Sequence, residues 1–506
     1  MGGRGVGWRN VALVLAFVAC ERVDPDKEVR RTTSTSESHE RHFFAVVNGD
    51  TEQFIYLDQF RTYVDTLAAY GVTGLRLWIP WQVVCTTCGP TLLTLSVEHR
   101  PGRYDFSQVF QRVDYAVQHG LAVILTIDWT GHLSTDPLGP GAHSVLPTDF
   151  GLDDVMLCRD RHGTDVPFEY RGTRVPRFEK PAVRDRLLRF VDATVTQFRA
   201  RYGDSVLYYG FVFSPFGEAE FPPLADSLPD TSPESLSAFR EWLRTRYPTA
   251  SSASEAWLRP EAFRSFDQIE ILDGQPPPPT GTAPQSYLDF AAFREASLGR
   301  FLAAIRDHVH AAGGRALVQF GSVWDSSAAS RGTIGFGHLA SGYDLLVVDD
   351  DPNYDHAFSM DYVRSNIAVP FGSELDSICA LACRSRDSAR CCDAKTFPLN
   401  VDLEYGATRM KAQVDDTFAR GGTFIGMANW EPFYSIAFRS LAPTLAYTVG
   451  QEPRNPLPVS AITIDLSQRD LYVHHNDPAY VDRLLSAHAA LREQAISINL
   501  NLRYDL

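Results

Sequence analysis

Between residues 42 and 428 this chain alternates short apolar runs with longer amphipathic stretches, and that alternation limits the folds open to it. The runs are short and bounded by glycine, proline or aspartate, so they read as strands covered on both faces. They lie at 42–47, 74–79, 121–127, 206–213, 316–320, 345–348, 367–373 and 423–428. Between them apolar residues recur at helical spacing, as in Phe54, Leu57, Phe60, Val64 and Leu67, a stretch stopped by Gly71. Eight such units predict an α/β fold, a closed parallel (β/α)8 TIM barrel over 42–450 with right-handed crossovers. A long insertion follows strand four, with helices predicted at 236–247 and 287–309. Residues 451–506 form a C-terminal extension, read as a small appendage of two strands about a helix at 479–491.

Residues 1–20 stand apart from the fold. Arg4 and Arg9 precede an uncharged stretch and then Ala19-Cys20, the layout of an export signal too short to span a bilayer. Phe17-Val18-Ala19-Cys20 resembles a bacterial lipobox, so Cys20 is the expected lipidation site and residues 21–41 a polar tether. The chain is therefore expected to be exported and held at a bacterial membrane, in the periplasm or at the cell surface. Among seven further cysteines (Cys85, Cys88, Cys158, Cys379, Cys383, Cys391, Cys392) three disulfides with one thiol left over are expected there, with the pairing open. A zinc site in the Cys379–Cys392 cluster is the lesser alternative. Net charge is −15 with no basic stripe, which excludes nucleic acid as the expected partner. No phosphate loop and no Gly-x-Ser-x-Gly elbow occurs.

In an α/β barrel the chemistry lies at the C-terminal ends of the strands. Two glutamates fall there: Glu218 after the fourth strand and Glu374 after the seventh. Two carboxyl groups are the minimum equipment for cleaving a glycosidic bond, one as acid and one as nucleophile or base, and this chemistry needs no cofactor or metal. The acid must stay protonated near neutral pH, which apolar surroundings and a negative neighbour provide. Phe213, Phe216 and Phe221 flank Glu218. Glu220 is a reserve acid or an acceptor for a sugar hydroxyl. Asp128, Trp129 and His132 after strand three, Trp324 after strand five, and Asn429 and Trp430 after strand eight are candidate contacts for a carbohydrate substrate. A run of three aspartates, 349–351, follows strand six.

Phe239-Arg240-Glu241-Trp242-Leu243, Ser254-Glu255-Ala256-Trp257, Phe266-Asp267 and Leu288-Asp289-Phe290 with Phe293, in that order, resemble the insertion of family 42 β-galactosidases. Gly71-Val72-Thr73-Gly74-Leu75-Arg76 and Gly102-Arg103-Tyr104-Asp105-Phe106 resemble their early barrel. The resemblance implies clan A of the glycoside hydrolases: acid/base on strand four, nucleophile on strand seven, and retention of configuration. It also implies that Arg76 steadies the nucleophile and that Trp430 floors the sugar site. One position departs. Clan A places Asn before the acid, and here that residue is Gly217. Gly217-Glu218-Ala219-Glu220-Phe221-Pro222 instead resembles the acid segment of the β-amylases, which invert. A catalytically silent carbohydrate-binding lipoprotein and an anchored structural or adhesion protein are the other readings of the same chain.

Overall fold

The computed structural model describes residues 41–47, 52–87, 97–159, 162, 164–215, 217–222, 228–271, 283–323, 328–350, 355–376, 403–428, 445–450, 461–474, 477–494 and 496–505. The eight predicted strands are present: β1 (His42–Val47), β2 (Gly74–Pro80), β3 (Ala122–Asp128), β4 (Val206–Val212), β5 (Leu317–Phe320), β6 (Leu345–Asp350), β7 (Phe371–Asp376) and β8 (Phe424–Ala428). They pair in parallel in the order β4-β3-β2-β1-β8-β7-β6-β5. A parallel bridge between Tyr209 and Ala316, with the Tyr209 N–H donating to the Arg315 carbonyl at 2.9 Å, joins the two ends into a barrel.

Residues two apart on a strand share a face, so the barrel interior can be read in layers. At the lower level Phe44, Ile124, Leu317, Leu345, Val347 and Phe424 form an apolar cluster. Gly74 and Gly372 make room for it, because a Cβ at Gly74 would strike the ring of Phe44 and one at Gly372 the carbonyl and Cβ of Phe424. One step higher on the same faces stand Arg76, Thr126, Gln319 and Glu374, all buried and polar. Above them come Trp78, Asp128 and Asp349. The apolar plug below thus presses a polar layer toward the mouth, where a ligand would reach it.

Strand seven differs from the sequence reading. It was expected over 367–373 but runs Phe371–Asp376. Ile367 caps the helix before it, with its N–H on the Val363 carbonyl, and Pro370 has no N–H to give a ladder. Pairing therefore begins at Phe371. Glu374 lies within the strand, beside Asp349 of β6 and Gly426 of β8 in the register.

The helices include α1 (Leu57–Ala69), α2 (Ser107–Gln118), α3 (Pro181–Tyr202), α4 (Pro233–Arg246), α5 (Ala250–Ala256), α6 (Gln285–Ala311), α7 (His356–Asn366), α8 (Leu403–Ala419) and α9 (Pro478–Glu493). In the insertion, α4 to α6 bury Phe239, Trp257, Phe290 and Phe293 together. Asp289, fully buried among them, accepts from the Tyr247 hydroxyl at 2.6 Å and the Trp257 indole at 2.7 Å, and pairs with Arg246 at 3.0 Å. These motif residues of the insertion thus form a local core and are not part of the site.

The C-terminal residues form a parallel pair, β9 (Ala461–Ser467) and β10 (Ser497–Arg503), joined through α9. The pair is built into the barrel wall. Arg364 and Asn366 of α7 donate to the Ile498 and Leu500 carbonyls of β10, each at 2.6 Å. His488 of α9, 1% exposed, donates toward Asp361 at 3.0 Å. Burial alone would lower the His488 imidazolium, but hydrogen bonds to Asp355 and Asp361 and their charges outweigh it and raise it. Gln468 and Tyr472 reach Glu295 of α6, each at 2.8 Å.

Candidate active site

The loop leaving β4 folds back on itself. The N–H groups of Phe213 and Ser214 donate to the Glu218 carbonyl at 3.2 and 3.0 Å, and Gly217 N–H to the Ser214 carbonyl at 3.1 Å. This turn requires φ +109° at Gly217, a region nearly closed to residues with a side chain. Space forbids one as well, since a Cβ would fall within the Trp78 ring. The glycine at the position where the resemblance implies an asparagine therefore has a structural reason: Trp78 occupies the volume that a side chain would take. Gly217→Asn is expected to lower stability by about 1–3 kcal/mol, read as a fall in the urea midpoint. Combining it with Trp78→Ala should return the steric part only, leaving the backbone part.

The loop delivers Glu218 into a buried setting, 4% exposed. Burial pushes its carboxyl up to about 7. The charge of Arg331 opposes this, Glu374 adds to it, and hydrogen bonds from Asp349 and Ser214 oppose it. The Oε2 of Glu218 is buried with no protein partner, an atom left for something else to meet.

Glu374 sits in the opposite environment. It is 2% exposed, and Arg76 Nη1 donates to its Oε2 at 2.7 Å. Arg76 is fully buried, with Nε on Thr126 Oγ1 at 2.9 Å and Nη1 also on Gln319 Oε1. Burial pulls its guanidinium down while Glu374, Asp349 and Glu218 pull it back, and an arginine stays cationic throughout. The ion pair favours the carboxylate form of Glu374. One glutamate is thus set to hold a proton and the other to lack one, and each feels the other's charge.

The remaining sequence-predicted positions divide. Asp128 ends β3 half-buried, its Oδ1 taking the Thr130 N–H and hydroxyl, each at 2.8 Å. His132 is half-buried and edge-on to His143 at 5.3 Å, and burial with the His143 charge lowers it. Trp129 is a correction. It is fully buried and stacked on Phe211 at 5.4 Å and Phe213 at 6.4 Å, so it offers no face to a sugar. Glu220 is another, for its Oε2 takes the Gly321 N–H at 3.1 Å and its Oε1 is ion-paired with the Arg331 guanidinium at 3.3 Å. Trp324, Asn429, Trp430 and Cys20 lie outside the described residues, as do Phe216, Asp351 and the cysteines from 379 to 392. Among the described residues no group of three or more His, Cys, Asp or Glu could hold a metal ion.

Sequence reasoning passed over Thr126, Gln319, Trp78, Ser214 and Arg331. The first two carried a signal: a lone polar residue inside an apolar strand must find a buried partner.

Comparison with known proteins gives this geometry a setting. The model of glycoside hydrolase family 42, described as β-galactosidase, matches residues 224–327, within and beyond the insertion. The chain resembles family 42. The β-galactosidase BgaH of Haloferax lucentense is 22% identical over 206 residues, 40% of this chain and 27% of that protein. The chain thus spans about a quarter of that relative's length. The β-galactosidase of Rahnella sp. R3 superposes with a TM-score of 0.64 at 14% identity, over 92% of this chain and 66% of that one. The β-amylase catalytic domain of Paenibacillus polymyxa gives 0.57 at 14% identity, over 80% and 99%. At such identity these structures establish the barrel fold, the architecture of the family 42 resemblance.

Proposed function

We propose that this chain is a glycoside hydrolase that cleaves O-glycosidic bonds of a β-galactoside-type oligo- or polysaccharide, with Glu218 as general acid and Glu374 as nucleophile or base. One observation carries the reading. Two buried glutamates, one after β4 and one in β7, have opposite environments, Glu218 pushed up to about 7 and Glu374 bound to Arg76 at 2.7 Å. Environments that drive two carboxyl groups apart in this way mark an acid and a base. The resemblance to β-galactosidases over 224–327 and in BgaH supports the sugar class. Export and lipidation at Cys20 belong to the same proposal, since a saccharide outside the cytoplasm would then be within reach.

The pH dependence follows from the direction of the Glu218 shift. The acid must be protonated, so kcat/KM on an aryl β-galactoside should fall as pH rises through about 7. The free enzyme's basic limb reports that group. Failure to hydrolyse any aryl glycoside, with saccharide binding retained, would select the silent binder. Hydrolysis confined to α-glucans with inverted product would select the β-amylase-like reading. The anomer released, followed by NMR, reports retention or inversion.

A further inference from the structure

Arg331 was invisible in the sequence, and nothing in the two-glutamate scheme requires it. Its surroundings are nonetheless built with care. The guanidinium is 5% exposed, pairs with Glu220 Oε1 at 3.3 Å, and donates from Nη2 to the Ser322 carbonyl. The Arg331 carbonyl accepts the Phe221 N–H at 3.2 Å, and the Gln319 carbonyl accepts the Ala219 N–H at 2.9 Å. Gly321 closes the arrangement: its N–H lies on Glu220 Oε2 at 3.1 Å, and a Cβ there would press on the guanidinium. The segment from Glu218 to Phe221 is therefore stitched to β5 and the chain after it at each residue after the acid, and Arg331 supplies two of the stitches. Behind it Arg294 of α6, also buried, donates to the Ser330 and Pro229 carbonyls, each at 2.6 Å, and lies 4.2 Å over the Phe221 ring.

We propose that Arg331, clamped by Glu220, is a positioning residue that fixes the acid loop and holds a compensated positive charge against Glu218. Glu220 then acts through the arginine and not on the sugar. The inference rests on Glu218 being the acid, and it deepens that reading by naming what governs its protonation. The charged and titratable groups facing Glu218 are Arg331, Glu374 and Asp349, with Arg76 further into the barrel and Ser214 on its own loop. Of these, Arg331 is the one whose charge opposes burial most. Glu220 neutralises part of that charge, so the two members of the clamp should act on Glu218 with opposite sign.

That opposition is the test. In the full chain labelled with ¹³C at glutamate carboxyls, the Glu218 resonance is identified by its loss in Glu218→Gln and titrated in each variant. Arg331→Met removes a charge that favours the carboxylate, and the Glu218 titration should move up by about 1 pH unit. Glu220→Gln leaves the arginine uncompensated, and the titration should move down. Arg331→Lys keeps the charge and should stay near wild type. The basic limb of kcat/KM should follow the same order. If Arg331→Met does not fold, the Glu220→Gln and Arg331→Lys arms decide. No movement, or movement of the two charge-removing variants in one direction, overturns the clamp. A chain that shows these shifts but cleaves no glycoside keeps the clamp and loses the hydrolase, so the two failures are distinct.

Discussion

Glu374→Gln is expected to reduce glycoside cleavage by about 10⁴–10⁶-fold, the scale on which a nucleophile is missed. The loss should persist with good leaving groups, because attack on the anomeric carbon, by Glu374 itself or by the water it activates, belongs to the same displacement as departure and no leaving group can replace it. A second effect separates this from simple unfolding. The Glu374 charge raises Glu218, so neutralising it should move the Glu218 titration downward. Steady-state kinetics on an aryl β-galactoside and the carboxyl titration together read both. A residual rate within tenfold of wild type would remove Glu374 from the chemistry.

Arg76→Met should be costly in a different currency. Arg76 has no exposure, and its removal leaves Glu374 buried without its counter-ion, at about 3–5 kcal/mol. Part of that cost is avoidable by protonation. In the variant an unpaired Glu374 prefers its neutral form, so the destabilisation should be smaller at acid pH and grow as pH rises. Activity should fall even where the variant folds, because a protonated Glu374 is neither nucleophile nor base. Arg76→Lys keeps the charge but not the fork that reaches Thr126, Gln319 and Glu374 together, and should recover stability only in part. Urea denaturation across pH measures the slope, and a pH-independent loss would contradict the ion-pair account.

The barrel was legible because each of its strands is an apolar run between turn signals, and burial on both faces leaves no other way to write them. The acid was legible for the same reason: Glu218 follows such a run directly. Glu374 was found but placed past its strand, since Pro370 breaks the run where the ladder has not yet begun. Trp129 was misread because a tryptophan after a strand looks alike whether it faces a sugar or packs on Phe211 and Phe213. Glu220 was taken for a spare acid because its partner, Arg331, lies more than a hundred residues on. No local pattern announces such a pairing. Gly217 shows the converse case, where the sequence displayed the departure and only the position of Trp78 explained it.

The proton on Glu218 can be followed through the leaving group. Aryl glycosides whose phenols depart unaided need no acid, whereas those with poor leaving groups do. In Glu218→Gln the kcat/KM for a poor leaving group should fall by about 10²–10⁴-fold, with little change for a dinitrophenyl glycoside. Equal losses on both substrates, or none on either, would contradict the assignment of Glu218 as the acid.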